Sequence, residues 1–204
     1  MAASPAMEAI RTLFRQLERP SGRRGDLDGN PGLPSLSPTL RDAAVLVPLV
    51  DRDEGPTILF TQRTAHLAAH AGQISFPGGG VELHDTDAVA TALRETEEEI
   101  GLPRACVEVL GHLDTYITRT GFSVVPIVAR VLPPFTLVPD PNEVDGVFEV
   151  PLSFILNPAS RVRESREYAG ALRHFWAFPF GERYIWGATA GMLVNLCDVL
   201  GALE

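Results

Sequence analysis

The chain has 204 residues, 45% of them hydrophobic and 21% charged, enough for one domain with a full core and no need of disulfides or a structural metal. Its 26 acidic side chains face 17 basic ones, all arginine, for a net charge of −9; this balance argues against a nucleic-acid backbone or an anionic membrane as partner, and the lack of lysine excludes Schiff-base and P-loop lysine chemistry. No apolar stretch approaches the ~18 residues of a membrane span, the first residues do not read as a signal peptide, and Cys106 and Cys197 lack metal-ligand spacing, so a cytoplasmic protein with reduced thiols is expected.

Taken in chain order, Ser4-Pro5 predicts a helix start, followed by Met7, Ile10, Leu13, Phe14 and Leu17 at helical spacing. Residues 20–38 hold four glycines and four prolines and read as a surface loop or linker, so 1–40 is taken as an N-terminal extension and 41–204 as the domain. Ala43–Val50 and Thr57–Thr61 are apolar runs on either side of the polar turn Asp51–Pro56, a hairpin signal. Ile74–Phe76 predicts a short strand before a break at Pro77-Gly78-Gly79-Gly80, and residues 87–100 carry helical periodicity. Val107–Ile117 and Phe122–Val131 are rich in β-formers, Glu143–Val150 reads as a strand and Leu152–Leu156 as a short helix. The segment with Arg161, Arg163 and Arg166, interleaved with Glu164 and Glu167, reads as a solvated loop. Arg173–Phe180 and Arg183–Trp186 flank Gly181 as a second hairpin, and Thr189–Leu203 reads as a closing helix. Strands interleaved with two substantial helices predict an α/β/α sandwich on a mixed β-sheet.

The chemistry lies in Asp85–Leu102, DTDAVATALRETEEEIGL. Asp85 or Asp87 is placed to cap this helix and Gly101 to end it. Val89, Leu93, Thr96 and Ile100 fall on a face for packing on the sheet, while Glu95, Glu98 and Glu99 fall within about 100° of one another on a different face. Acidic runs on helices are usually solvated surface. Here the Gly-rich turn 78–80 lets backbone groups approach a ligand, and Arg94 is one turn before Glu98, spaced to orient the carboxylates. Converging carboxylates repel unless a hard divalent cation such as Mg²⁺ or Mn²⁺ lies among them.

Gly79, five residues, Asp85, eight residues, then Arg94-Glu95-Thr96-Glu97-Glu98-Glu99-Ile100-Gly101-Leu102 resembles the Nudix box. That box usually has glutamate where Asp85 stands, one residue fewer before the arginine, and an aliphatic residue where Thr96 stands. The resemblance implies a Nudix-like fold and Mg²⁺- or Mn²⁺-dependent hydrolysis of a nucleoside diphosphate linked to another moiety. By that resemblance Glu95, Glu98 and Glu99 are metal ligands, joined by the carbonyl of Gly78 or Gly79. Arg94 belongs to the catalytic set. Glu95 and Glu143 are alternative carboxylates for positioning or deprotonating the attacking water, because several Nudix proteins use an acid from a late loop.

Leu59-Phe60-Thr61-Gln62-Arg63-Thr64, then Gly72 and Phe76-Pro77-Gly78-Gly79, is similar in spacing to the signature of coenzyme A pyrophosphatases within that family. Ala68 stands where the signature has a second arginine, and Thr64 where it has serine. NEVDGVFEVPL at 142–152 and YIWGATA at 184–190 extend the likeness over most of 43–200. It implies cleavage of coenzyme A to 3′,5′-ADP and 4′-phosphopantetheine, with Arg63, Gly72, Phe76 and Gly79 toward the substrate and His66 and His70 flanking the Ala68 position. Arginine's planar fork suits such phosphates. Phe175, Trp176, Phe178 and Phe180 suit core packing or a homodimer contact better than a wall for adenine or pantetheine. The competing readings are a Nudix hydrolase of ADP-ribose or NADH, and a nucleotide-sensing module without chemistry.

Overall fold

The run Arg41–Val50 is apolar on both of its faces, the pattern of a central strand covered on two sides. In a computed structural model, which describes residues 3–17, 22–30, 39–65, 72–168 and 171–201, this run is the middle of a mixed sheet. The strands are β1 (Arg23–Gly25), β2 (Arg41–Val50), β3 (Thr57–Arg63), β4 (Ile74–Ser75), β5 (Gly78–Gly80), β6 (Val107–His112), β7 (Thr115–Ile117), β8 (Phe122–Val131), β9 (Val144–Pro151), β10 (Val162–Tyr168), β11 (Ala171–Phe180) and β12 (Arg183–Trp186). The α-helices are α1 (Pro5–Gln16), α2 (Ala88–Ile100), α3 (Leu152–Leu156) and α4 (Gly187–Leu200).

β2 pairs in parallel with β8 along its whole length, from Arg41↔Phe122 to Val50↔Val131. With β3 it pairs only at Leu49↔Ile58 and Val50↔Thr57, after which the two strands part. The parting leaves two inner edges, and the chain fills both: β5 takes that of β2 at Ala43–Val45, and β4 that of β3 at Thr61 and Gln62. β9 covers the far side of β3. The Gly-rich stretch 78–80, expected as a break, is therefore a short strand, because the splayed edge of β2 supplies hydrogen-bond partners no local pattern reveals.

Alternation along the strands divides the core in two. Ala43, Val47, Leu49, Ile58, Phe60, Val124 and Val128 face α1, α3 and α4, whereas Ala44, Leu46, Val50, Leu59, Ile127, Ala129 and Val131 face α2. Helices on both faces of a mixed sheet make the expected α/β/α sandwich. A second, three-stranded sheet, β10-β11-β12, lies beside α4.

The N-terminal residues are packed onto this core. The Ser4 side chain caps α1, and Met7, Ile10 and Phe14 are buried in the cluster that holds α4. Within the Gly/Pro-rich stretch, β1 pairs in parallel with β7, and Asn30 bonds to the backbone of His174, so described parts of the expected loop are built into the domain. The β-rich run 107–117 divides into β6 and β7. The expected solvated loop at 161–167 is largely strand β10, its pairing supplied by β11 while most of its charged side chains stay exposed. Phe178 is core, as the aromatic stretch predicts, and Phe180 packs against the core. No described helix is long and apolar enough to cross a membrane.

Candidate active site

Local sequence sets the ends of α2. The Asp87 carboxylate accepts from Ala90 N at 2.8 Å, and Gly101 closes the helix in the left-handed region at φ 66°. Ala92, Thr96 and Ile100, spaced by four, form the buried stripe, with Val89 and Leu93 half-buried beside it. Thr96 occupies an aliphatic position without leaving a polar group stranded, because its hydroxyl donates back to Ala92 O at 2.6 Å.

Arg94 organises the acidic face. It is nearly buried and donates through Nε and Nη2 to the two oxygens of Asp85 at 3.0 and 2.9 Å, the parallel fork that guanidinium and carboxylate favour. Nη2 also donates to Gly80 O at 3.1 Å, and Nη1 to Glu95 Oε1 at 3.0 Å and Glu98 Oε2 at 2.9 Å. Asp85 is thus the anchor of Arg94. It accepts in addition from Glu82 N and the Thr91 hydroxyl, and hydrogen bonding to Arg94, first among the causes, holds its carboxyl well below the usual carboxylate range. Sequence reasoning did not single out Thr91; its one signal was a hydroxyl a turn into the helix, facing back toward the cap.

The three glutamates differ in environment. Glu98 is exposed, with 61% of its side chain open to solvent. Glu95 is half-buried against Gly79, where an added Cβ would stand 2.5 Å from its carboxylate. Burial raises the proton affinity of Glu95, Arg94 opposes this, and the charges of Glu98 and Glu143 add to the rise. Glu99 is buried, accepts from Gly78 N at 3.2 Å and lies 3.7 Å from Arg63 Nη1. Burial pushes its carboxyl up to about 7, with the charges of Glu143 and Glu95 also raising it and the Gly78 amide and Arg63 opposing. Gly78, at φ 151° and pressed against Ala44 and Val45, is the point where only glycine lets β5 sit this close to β2 and the Glu99 carboxylate.

Glu143, expected in a late loop, is exposed at the entry to β9; its backbone carbonyl accepts from Thr64 N at 3.0 Å, which ties it to the end of β3. Arg63 ends β3, and its Nε is buried without a hydrogen-bond partner among the described residues. Gly72 lies at φ 69°, its N–H 3.4 Å from Thr64 O. Phe76, expected among the substrate contacts, is 3% exposed and stacked on Phe60 at 5.2 Å; it supports the Gly78-Gly79 strand from the core side. Ala68, His66 and His70 lie outside the described residues.

The arrangement brings Glu95, Glu99, Glu143, Arg63 and the backbone of Gly78 and Gly79 to one place. It does not gather Glu95, Glu98 and Glu99 into a closed cage: among the described residues no three acidic, cysteine or histidine side chains converge in metal-ligand geometry, because Arg94 holds Glu95 and Glu98 by one guanidinium nitrogen. The donors are nonetheless all oxygens, and a buried carboxylate beside two other acids is compensated by a hard cation better than by a proton, so the residues fit Mg²⁺ or Mn²⁺.

Residues 40–171 match the NUDIX domain. The uncharacterized Nudix hydrolase NudL of Escherichia coli K12 is 39% identical over 161 residues, 79% of this chain and 83% of that protein, and its counterpart in Escherichia fergusonii matches equally well. Among solved structures, the Nudix hydrolase RenU from M. smegmatis superposes with a TM-score of 0.52 at 16% identity, over 80% of this chain and 88% of that one, a likeness of fold.

Proposed function

We propose that this chain, which belongs to the Nudix family and is a pyrophosphatase acting on nucleoside diphosphate derivatives, takes coenzyme A or a close derivative as substrate and releases 3′,5′-ADP and 4′-phosphopantetheine. The observation that carries the reading is Arg63. It stands in the segment 59–79 whose spacing is that of coenzyme A pyrophosphatases, at the end of β3, with a buried Nε lacking a described partner and its fork beside Glu99. A phosphate oxygen satisfies that guanidinium in the way the neighbouring buried acid only partly does.

Nudix hydrolases work with divalent cations, and here Glu95, Glu98, Glu99 and the Gly78 carbonyl would hold one. When bound, such a cation neutralises pyrophosphate charge and lowers the pKa of water. The remaining work falls to the chain. Asp85 locks Arg94, and Arg94 holds Glu95 and Glu98 at fixed positions before substrate arrives. Glu95 or Glu143 takes the proton of the attacking water, both being acids whose charges face Glu99. Cys106 and Cys197 are free thiols, the state a reducing compartment maintains, which goes with a cytoplasmic location.

The test is turnover of a substrate panel by purified protein with Mg²⁺ or Mn²⁺, with products resolved by chromatography. Coenzyme A should be the preferred substrate and 3′,5′-ADP its product. The replacement of the signature's second arginine by Ala68 favours one other reading, hydrolysis of ADP-ribose or NADH; higher kcat/KM for either than for coenzyme A would establish it instead.

A further inference from the structure

Residues 132–143 connect β8 to β9 and run across the end of α2. Val138 N donates to Ile100 O and Asp140 N to Glu99 O, both at 2.9 Å. These are two of the carbonyls that a helix leaves without intrahelical partners at its C-terminus. The loop comes this close because Gly101 has no side chain: a Cβ there would stand 3.1 Å from Val138 N. Asp140 is therefore anchored on the backbone of Glu99, the buried acid of the site.

From that anchor Asp140 builds a turn. Its Oδ1 accepts from Asn142 N and Asn142 Nδ2, each at 2.8 Å, and its carbonyl accepts from Glu143 N at 3.0 Å and Val144 N at 2.8 Å. A carboxylate bonded to the backbone two residues on is the device by which aspartate fixes a turn. The other end of the turn is tied to β3. Thr64, buried one residue past the strand's end, donates its amide to Glu143 O at 3.0 Å and its hydroxyl to Asn142 O at 3.2 Å. Arg63 itself pairs with Val144.

Both ties close on Glu143. Its main chain bonds through N to Asp140 and through O to Thr64, whereas its exposed carboxylate takes no hydrogen bond from any described residue. Where that carboxylate can reach is thus set by the loop backbone and not by a side-chain partner. Glu95, by contrast, is already engaged by Arg94 Nη1.

We infer that Asp140 and Thr64 are positioning residues, which hold the loop so that the Glu143 carboxylate stands ready beside Glu95 and Glu99, taking Glu143 as the proton acceptor of the function proposed above. In that step the water oxygen bonds to phosphorus as the anhydride P–O bond breaks, its electron pair leaves with the departing phosphate, and the water's proton passes to Glu143. Misplacing a reacting group by about 1 Å costs on the order of 100-fold in rate, so the two ties act on turnover and leave substrate affinity alone.

Steady-state kinetics test this on whichever substrate of the panel is turned over fastest. Glu143→Gln should lower kcat about 100-fold or more. Asp140→Ala and Thr64→Val should each lower kcat about tenfold with KM within about twofold of wild type, while Asp140→Asn and Thr64→Ser, which keep the bonding oxygen, should stay within about threefold of wild-type kcat. A double-mutant cycle separates positioning from general scaffolding. Added to Glu143→Gln, Asp140→Ala should cost less than about twofold, because no carboxylate is left to place, whereas a merely structural contribution multiplies through at about tenfold. Thr64→Val in the same cycle serves if thermal melting shows Asp140→Ala to be unfolded. Unchanged kcat in Asp140→Ala and Thr64→Val, a loss confined to KM, losses that multiply in the cycle, or near-normal kcat in Glu143→Gln each overturns the assignment. Only the last also removes Glu143 from the mechanism, and none of the four changes which substrate is preferred.

Discussion

Glu99→Gln should make the metal-free protein more stable while destroying its activity. The carboxylate is buried, and its pKa stands at about 7 where an exposed glutamate has 4.5. Between those values the folded chain binds a proton that the unfolded chain has released, so wild-type stability falls as pH rises from about 4.5 to about 7, and the full loss is present above 7. At 1.36 kcal/mol per pKa unit this amounts to about 3 kcal/mol at pH 8. Glutamine keeps the shape and can still accept from Gly78 N, but carries no charge to bury. For a chain of this size the expected gain is a rise in Tm of roughly 6–12 °C at pH 8 in EDTA, shrinking toward zero near pH 4.5. Turnover with Mg²⁺ should fall at least ~100-fold, and added Mg²⁺ or Mn²⁺ should raise the Tm of wild type but not of the variant. Thermal unfolding followed by circular dichroism across pH 5–8.5, with and without metal, measures all of this. A variant that melts below wild type at pH 8 in EDTA, or one that keeps near-normal kcat, refutes the account of Glu99.

Three further substitutions separate scaffold from site. Asp51→Ala strips Arg130 of its closer carboxylate, to which it donates at 2.9 and 2.7 Å with both side chains buried, and leaves it only the longer contact to Glu108 at 3.4 Å; urea unfolding at pH 7 should show a loss of about 3 kcal/mol, the low end for a broken buried pair. Because Arg130 and Ser4 hold the Asp51 carboxyl below its usual range despite burial, wild type should also lose this contribution as pH falls below about 4, and the variant should not. Gly79→Ala pushes a methyl against the Glu95 carboxylate and should cut kcat about tenfold or more with little change in Tm, whereas Gly78→Ala collides with the Ala44 and Val45 backbone at positive φ and should lower Tm first; equal Tm losses in the two variants would contradict this division. Arg63→Ala should raise KM for coenzyme A about tenfold, and steady-state kinetics showing only a kcat effect would remove Arg63 from substrate binding.

Elements written in local chemistry were legible. Ser4-Pro5 with its apolar spacing yields α1, and Asp87, Arg94 and Gly101 bound and equip α2, because caps and i, i+4 neighbours are settled within a few residues. The Nudix box is of this kind, being one helix with the turn before it, which is why family and fold class could be read from the chain. Misjudged elements all depend on partners far away in sequence. Gly78–Gly80 becomes a strand only because β2 and β3 part and expose an edge, and Val162–Tyr168 only because β11 pairs with it. Phe76 is invisible as core until Phe60, sixteen residues earlier, is brought 5.2 Å from it.

The glutamates make the same division at the level of chemistry. The sequence by itself determined that Glu95, Glu98 and Glu99 share one side of a helix, since that follows from 3.6 residues per turn, and that seven acids in 82–99 face Arg94 alone. Which of them is buried was decided by the tertiary structure: the sheet meets the stripe Ala92-Thr96-Ile100, so adjacent Glu99 turns inward to the Gly78 amide and Glu98 outward to solvent. The role of Asp85 was decided there too, since nine residues of chain must fold back before its carboxylate can grip Arg94. Helical periodicity is a property of the backbone and is fixed residue by residue; a carboxylate's charge cost depends on what the rest of the molecule places around it.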